Sequence, residues 1–167
     1  DYVSPRAVRP FEVQYTDPDF VYAETYTFDV SQLGPQLAVP HSVDNVEPLE
    51  KVLEGGKIRV DQGFIGSCTG GREEDFAQAA EILRGKHIAP WTRLVVIPAS
   101  AEVLSRCLEK GYIQDLLAAG ATLSSPGCGP CLGAHEGILA PGEVCITASN
   151  RNFPGRMGSP GASLYLA

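Results

Sequence analysis

A strand pattern that runs straight into a glycine-rich turn and then into a helix restricts what this chain can fold into more than any other feature. Ile58 to Ile65 reads as a strand, Gly66-Ser67-Cys68-Thr69-Gly70-Gly71-Arg72 as a turn, and Glu73 to Leu83 as a helix with Phe76, Ala79, Ala80 and Leu83 on one face. The alternation continues. Arg93 to Ile97 reads as a buried strand, Ala101 to Lys110 as a helix closed by Gly111, Ile113 to Ala119 as a helix closed by Gly120, and Val144 to Thr147 as a short strand. Strands that alternate with helices need crossover connections, which implies a parallel sheet. The expected fold is therefore α/β, a three-layer α/β/α arrangement with a mainly parallel sheet. In such sheets ligands gather at the carboxyl ends of the strands, and the unusual residues of this chain follow predicted strands.

The residues before Lys57 have a different texture. Within the first 60 residues ten acids face five bases, and Pro5, Pro10, Pro18, Pro35, Pro40 and Pro48 interrupt the chain. Proline cannot donate to a ladder, so 1–56 reads as an extended arm with edge strands that packs on a core, and 57–167 as the α/β domain. Tyr26 to Val30 alternates large apolar and polar residues, a half-buried strand pattern. A net charge of −7 speaks against a nucleic-acid partner, whose phosphates are held by cationic side chains. No apolar run approaches the ~20 residues of a membrane span, and no signal peptide leads the chain, so no membrane association is expected. Asp1 rather than Met at the start suggests a processed product or a piece of something longer. Five cysteines, an odd number in a chain too large for a small secreted scaffold, favour a reducing, cytoplasmic setting with thiols kept for chemistry.

Those cysteines are placed unevenly. Cys68 lies in the first glycine-rich turn, where tight backbone turns admit a bulky ligand and the following helix N-terminus favours thiolate. By itself this segment also fits a small buried cysteine or a phosphate loop lacking its lysine. Ser125-Pro126-Gly127-Cys128-Gly129-Pro130-Cys131-Leu132-Gly133-Ala134-His135 carries a C-x-x-C pair, a spacing shared by zinc knuckles, redox pairs and iron–sulfur ligands. A structural zinc site usually takes two ligand pairs, and no second pair is present; a redox pair would not need Cys68. Three thiolates from two strand-to-helix loops fit a [4Fe-4S] cube with one iron left open. A third segment, Ser149-Asn150-Arg151-Asn152-Phe153-Pro154-Gly155-Arg156, presents two arginines suited to carboxylate oxygens. Cys107 and Cys145 read as core residues, His87 as surface, and Trp91 as packing at the start of a strand. His41 and His135 are left undecided between a site and an ordinary structural role.

Taken in order, Gly-Ser-Cys-Thr-x-Gly-Arg, Gly-Cys-Gly-Pro-Cys-x-Gly and Ser-Asn-Arg-Asn-Phe-x-Gly-Arg resemble the aconitase superfamily, most closely the large subunits of 3-isopropylmalate dehydratase and homoaconitase. The likeness runs from about Pro35 to the C-terminus, including Val39-Pro-His-Ser-Val-Asp-Asn45. The resemblance implies an aconitase-like iron–sulfur domain with Cys68, Cys128 and Cys131 as cluster ligands, a cluster that an apo structure would lack. It implies Arg151 and Arg156 on substrate carboxylates and Asn150 beside cluster and substrate. It further implies a small hydroxy-di- or tricarboxylic acid substrate, a preceding region of the large subunit that brings catalytic His and Asp residues, and a small-subunit partner that brings the general-base Ser and further arginines, with no proton-transfer residue in this chain. Dehydration and rehydration that interconverts 2- and 3-isopropylmalate, in leucine biosynthesis, is the expected activity of the assembly, with this piece alone inactive. The alternatives are homoaconitase in lysine biosynthesis, or a module that uses its thiols for zinc or iron sensing without catalysis. One departure stands out: Gly70 occupies the place of the family's usual Asn.

Overall fold

The computed structural model describes residues 3–167, which divide into a first unit ending at Leu33 and a second, Gly34–Ala167. The first unit contains a single turn of 3-10 helix, Ser4–Arg6, and otherwise irregular backbone. Within it Phe20 and Tyr22 are edge to face at 4.9 Å, and Tyr26 and Phe28 stack at 6.4 Å. Tyr26 to Val30, expected as a strand, is not one. Alternation puts Tyr26 and Phe28 on the same side, but a strand also needs an edge to pair with. The two units divide at 33/34, and residues 34–56, which the sequence groups with the arm, supply strands and a helix of the second unit.

The second unit is built on a seven-stranded sheet ordered β2-β1-β7-β6-β3-β4-β5. The strands are β1 Gln36–Ala38, β2 Val46–Pro48, β3 Gln62–Gly66, β4 Arg93–Ile97, β5 Thr122–Leu123, β6 Val144–Thr147 and β7 Ser163–Leu166. From β7 to β5 all neighbours are parallel, and β1 and β2 form an antiparallel edge. The expected α/β class and mainly parallel sheet are what the chain adopts. The helices are α1 Leu49–Glu54, α2 Ser67–Gly70, α3 Glu73–Leu83, α4 Ala101–Glu109 and α5 Tyr112–Ala118.

Strand alternation sorts the core into two layers. Leu94 and Val96 point to the face covered by α3, α4 and α5, where Phe76, Ala80, Cys107, Ile113 and Leu116 are fully buried. Phe64, Val95, Ile97, Cys145 and Leu164 point to the other face and pack with Cys131, Leu139, Met157 and Ala162. By the same register Ile146 and Tyr165 belong to the helix face, and α1 lies over them through Leu49, Val52 and Leu53. The opposite face is closed by irregular segments and the 3-10 turn Gly129–Leu132.

The helices begin where the sequence directs. Ser100 Oγ accepts from Val103 N at 3.2 Å to cap α4, and the first turn of α3 carries Glu73, Glu74 and Asp75, with Asp75 accepting from Arg72 N at 2.9 Å. Gly111 sits at φ 79° between α4 and α5, a left-handed turn that a side chain would strain. Cys107 and Cys145 are fully buried, as expected of core residues, and burial pushes their thiols up to about 11 and about 12. Trp91, in contrast, is 56% exposed, because the strand begins two residues later and the ring lies along a surface groove with Ile58 and Thr92. Among the described residues no helix is long and apolar enough to cross a membrane.

At the amino ends of the central strands a polar relay ties the loop-covered face to the sheet. Arg93 grips Glu143 with both terminal nitrogens, at 2.7 and 3.0 Å, while its Nε donates to Gln62 Oε1 at 3.1 Å. The fully buried Gln62 passes the tie on, its Nε2 donating to Gly137 O at 2.8 Å. The Arg93 fork and the backbone N–H of Ala140 hold the Glu143 carboxyl below the usual carboxylate range. Folding therefore favours its ionised form, so its contribution to stability is complete above the ordinary carboxylate range and is lost as pH falls through the lowered folded value. Urea unfolding between neutral pH and about pH 3 is expected to show Glu143→Gln less stable at neutral pH, with the difference from wild type closing on acidification. On the opposite face, Leu116→Ala is expected to cost about 2–5 kcal/mol in the same measurement.

Candidate functional site

Three loops meet at the carboxyl edge of the sheet. β3 ends at Gly66 and turns at once into α2, which carries Cys68. The turn is held against β4: Ala99 N donates to Gly71 O at 2.8 Å, and a Cβ placed on Gly66 would lie 2.7 Å from Ile97 O. The loop after β5 brings Cys128 and Cys131 over the same residues, since a Cβ on Gly129 would fall 2.1 Å from Ile97 Cδ1 and 3.9 Å from the Phe64 ring. The loop after β6 starts with Ala148, whose N–H donates to Phe64 O at 3.0 Å. Phe64 and Ile97 are thus a common seat for all three loops, and only small residues fit directly above them.

Exposure separates the predicted ligands. Cys68 and Cys128 are exposed free thiols, and Cys131 is a buried one, 6% exposed, in contact with Arg156. Among the described residues no three His, Cys, Asp or Glu side chains stand together as a formed metal-holding group. The structure therefore brings the two cysteine-bearing turns to one edge without drawing their three sulfurs into a set. Ser67, immediately before Cys68, is buried and adopts φ 67°, a left-handed conformation that is uncommon outside glycine and concentrates at functional sites. Its Oγ lies 3.4 Å from Thr69 Oγ1.

The arginine loop is anchored by a residue between the two arginines. Asn152, 1% exposed, donates through Nδ2 to Val39 O at 2.9 Å, to Ala38 O at 3.3 Å and to Leu164 O at 3.4 Å. It fixes the loop to β7 and to the start of the segment Val39 to Asn45. Arg151 stays exposed, its Nη1 donating to the neighbouring Asn150 O at 2.9 Å, and Asn150 is exposed as well. Arg156 is half-buried and its Nη2 donates to Cys131 Sγ at 3.4 Å.

Three buried polar atoms have no partner among the described residues: Ser149 Oγ, Asn152 Oδ1 and Arg156 Nε. All three belong to this one loop. Buried donors and acceptors are ordinarily satisfied, so their concentration in one loop sets this loop apart. Gln62 gives no strong signal in the sequence beyond being a polar residue in a strand whose other members are apolar or glycine. His41 and His135 are both exposed, and His135 lies 3.5 Å from Glu136 rather than in the arginine loop.

Gly70 has a local explanation. A Cβ on it would come within 2.4 Å of Ala148 O and 2.5 Å of Ala148 Cβ, so α2 presses directly on the end of β6. A side chain here would separate the Cys68 turn from the arginine loop. Gly70→Ala is expected to cost about 1–3 kcal/mol by overpacking. Gly127→Ala, whose new Cβ would have only Ser125 O at 3.9 Å, is expected to shift stability by no more than about 0.5 kcal/mol. Chemical denaturation of both variants checks the contrast.

The chain belongs to the aconitase family, matching the family described as Aconitase family (aconitate hydratase) over residues 4–167. It is 56% identical to the homoaconitase large subunit of Thermus thermophilus over 92% of its length, and 50% identical over its whole length to the 3-isopropylmalate dehydratase large subunit of a Hydrogenobaculum species. A probable methanogen homoaconitase large subunit of Methanosarcina mazei is likewise 50% identical over the whole chain. The chain spans 36%, 39% and 41% of these relatives' own lengths, respectively.

Proposed function

We propose that this chain is the cluster- and carboxylate-binding part of a hydro-lyase large subunit of the 3-isopropylmalate dehydratase type, acting in the cytoplasm together with a small subunit and the rest of the large subunit. The observation that carries the reading is the convergence of two cysteine turns and a doubly arginine-bearing loop on the Phe64–Ile97 seat. Family membership supports it, and so do relatives that are named large subunits.

The donors suit an iron–sulfur group. Cys68, Cys128 and Cys131 are soft ligands on turns built from small residues, and the unpartnered Ser149 Oγ and Arg156 Nε beside them are polar groups that such a group or its substrate would satisfy. A [4Fe-4S] group with one iron free of protein ligands supplies a Lewis acid for the departing hydroxyl. The protein's own part is binding and orientation. Arg151 and Arg156 offer planar donors to carboxylates, and Asn150 adds an amide beside Arg151. The Asn152 anchor keeps the loop in place, so the orientation of a bound diacid is fixed before reaction. No proton transfer is assigned to this chain; that step belongs to residues contributed by the remainder of the assembly, and the chain alone is expected to be inactive.

Homoaconitase is the second reading, favoured by 56% identity to a relative of that name. Both readings share the chemistry and differ in the group carried beside the carboxylates. A thiol module without catalysis is the competing class. Anaerobic reconstitution of the full chain with iron and sulfide is expected to give a brown protein whose EPR spectrum changes on adding isopropylmalate or homocitrate. Cys68→Ser, Cys128→Ser and Cys131→Ser should each lose most of that iron, whereas Cys107→Ala should retain it. Colourless, stoichiometric zinc in place of the cluster would favour the module. Hydration of the matching unsaturated acid by the chain combined with its partners discriminates the two substrates.

A further inference from the structure

Arg156 does more than face solvent in readiness for an anion. Its Nη2 donates to Cys131 Sγ at 3.4 Å, and its Cζ stands 5.7 Å from the centre of the Phe153 ring. The backbone locks the same contact: Arg156 N donates to Phe153 O at 3.0 Å, and Gly133 lies so near that a Cβ on it would be 3.0 Å from Arg156 O. Guanidinium, aromatic ring and cysteine turn are therefore in mutual contact. Among the described residues no carboxylate is within ion-pair distance of Arg156, although the chain carries a net charge of −7. An arginine with that much acid to choose from is held beside sulfur instead.

We infer that Arg156 is a positioning residue for the sulfur of Cys131 and thereby sets how long an iron–sulfur group is retained, in addition to any grip on a substrate carboxylate. The inference rests on the cluster reading proposed above. A guanidinium has five N–H donors in a rigid fork, so Nη2 can stay on the ligand sulfur while the buried, unpartnered Nε serves another acceptor. Groups that orient a metal's direct ligands are worth about 10–100-fold in metal affinity when removed. Arg151 offers the contrast: it is exposed and bonded to its neighbour's carbonyl, so it can hold an anion but fixes no sulfur.

The test is the rate at which a chelator strips iron from anaerobically reconstituted full chain, followed by the loss of visible absorption. Relative to wild type, Arg156→Gln is expected to release iron about tenfold faster. Arg156→Lys, which keeps the charge but not the fork, should fall between, and Arg151→Gln should match wild type. Denaturation midpoints establish that the variants are folded, and Arg156→Lys carries the comparison where the glutamine variant is not. Equal release from wild type and folded Arg156 variants would overturn the inference, as would an equal acceleration in Arg151→Gln, which would indicate a general effect of charge. A wild-type chain that takes up no cluster at all overturns the cluster reading and this inference together; a cluster that depends on the three cysteines but is indifferent to Arg156 overturns this inference alone.

Discussion

The site depends on β3 being paired on both sides. Strand β4 on one flank and β6 on the other fix its carboxyl end in register, with Gly66 opposite Ile97 and Phe64 opposite Thr147. Because parallel strands all point the same way, the loops that leave them start from one edge. The burial of Phe64 and Ile97, each 1% exposed or less, then gives those loops a floor. Loss of that floor would leave the cysteine turns attached to the chain but not to one another.

Close approach matters more at this edge than side-chain volume. Gly66, Gly70, Gly71 and Gly129 all stand where a Cβ would strike a neighbour at less than 3 Å. Charge is distributed with equal economy. Several cations elsewhere have acidic partners, Arg84 on Asp115, Arg93 on Glu143 and Arg106 on Glu102 among them. The exposed pairs of Arg84 and Arg106 add little to stability, unlike the bidentate Arg93–Glu143 tie. Among the described residues, the arginines of the loop after β6 have no carboxylate within ion-pair distance.

Much of this was legible in the sequence. Helix α3 and strands β4 and β6 have the predicted bounds, because each has a clear apolar period and distinct ends. The cysteine and arginine motifs stood out because glycine, cysteine and arginine in those combinations have few other uses. What was not legible depends on distant partners. β5 and β7 are short and are strands only because β4 and β6 offer them edges. Tyr26 to Val30 has the pattern of a strand and no ladder to join. The three bonds from Asn152 to backbone carbonyls, and the orphaned hydroxyl of Ser149, arise from contacts across the fold that no local pattern encodes. The crowding of Gly70 by Ala148 is of the same kind, since the two lie far apart along the chain.

The placement of all the longer helices on one side of the sheet carries an evolutionary consequence. The sheet acts as a partition: α3, α4 and α5 can drift in sequence as long as they keep their apolar stripe, and the effect is confined to how firmly the domain holds together. On the other side, the irregular covering carries the cysteine and arginine loops, so a change there reaches the candidate site without rebuilding the scaffold.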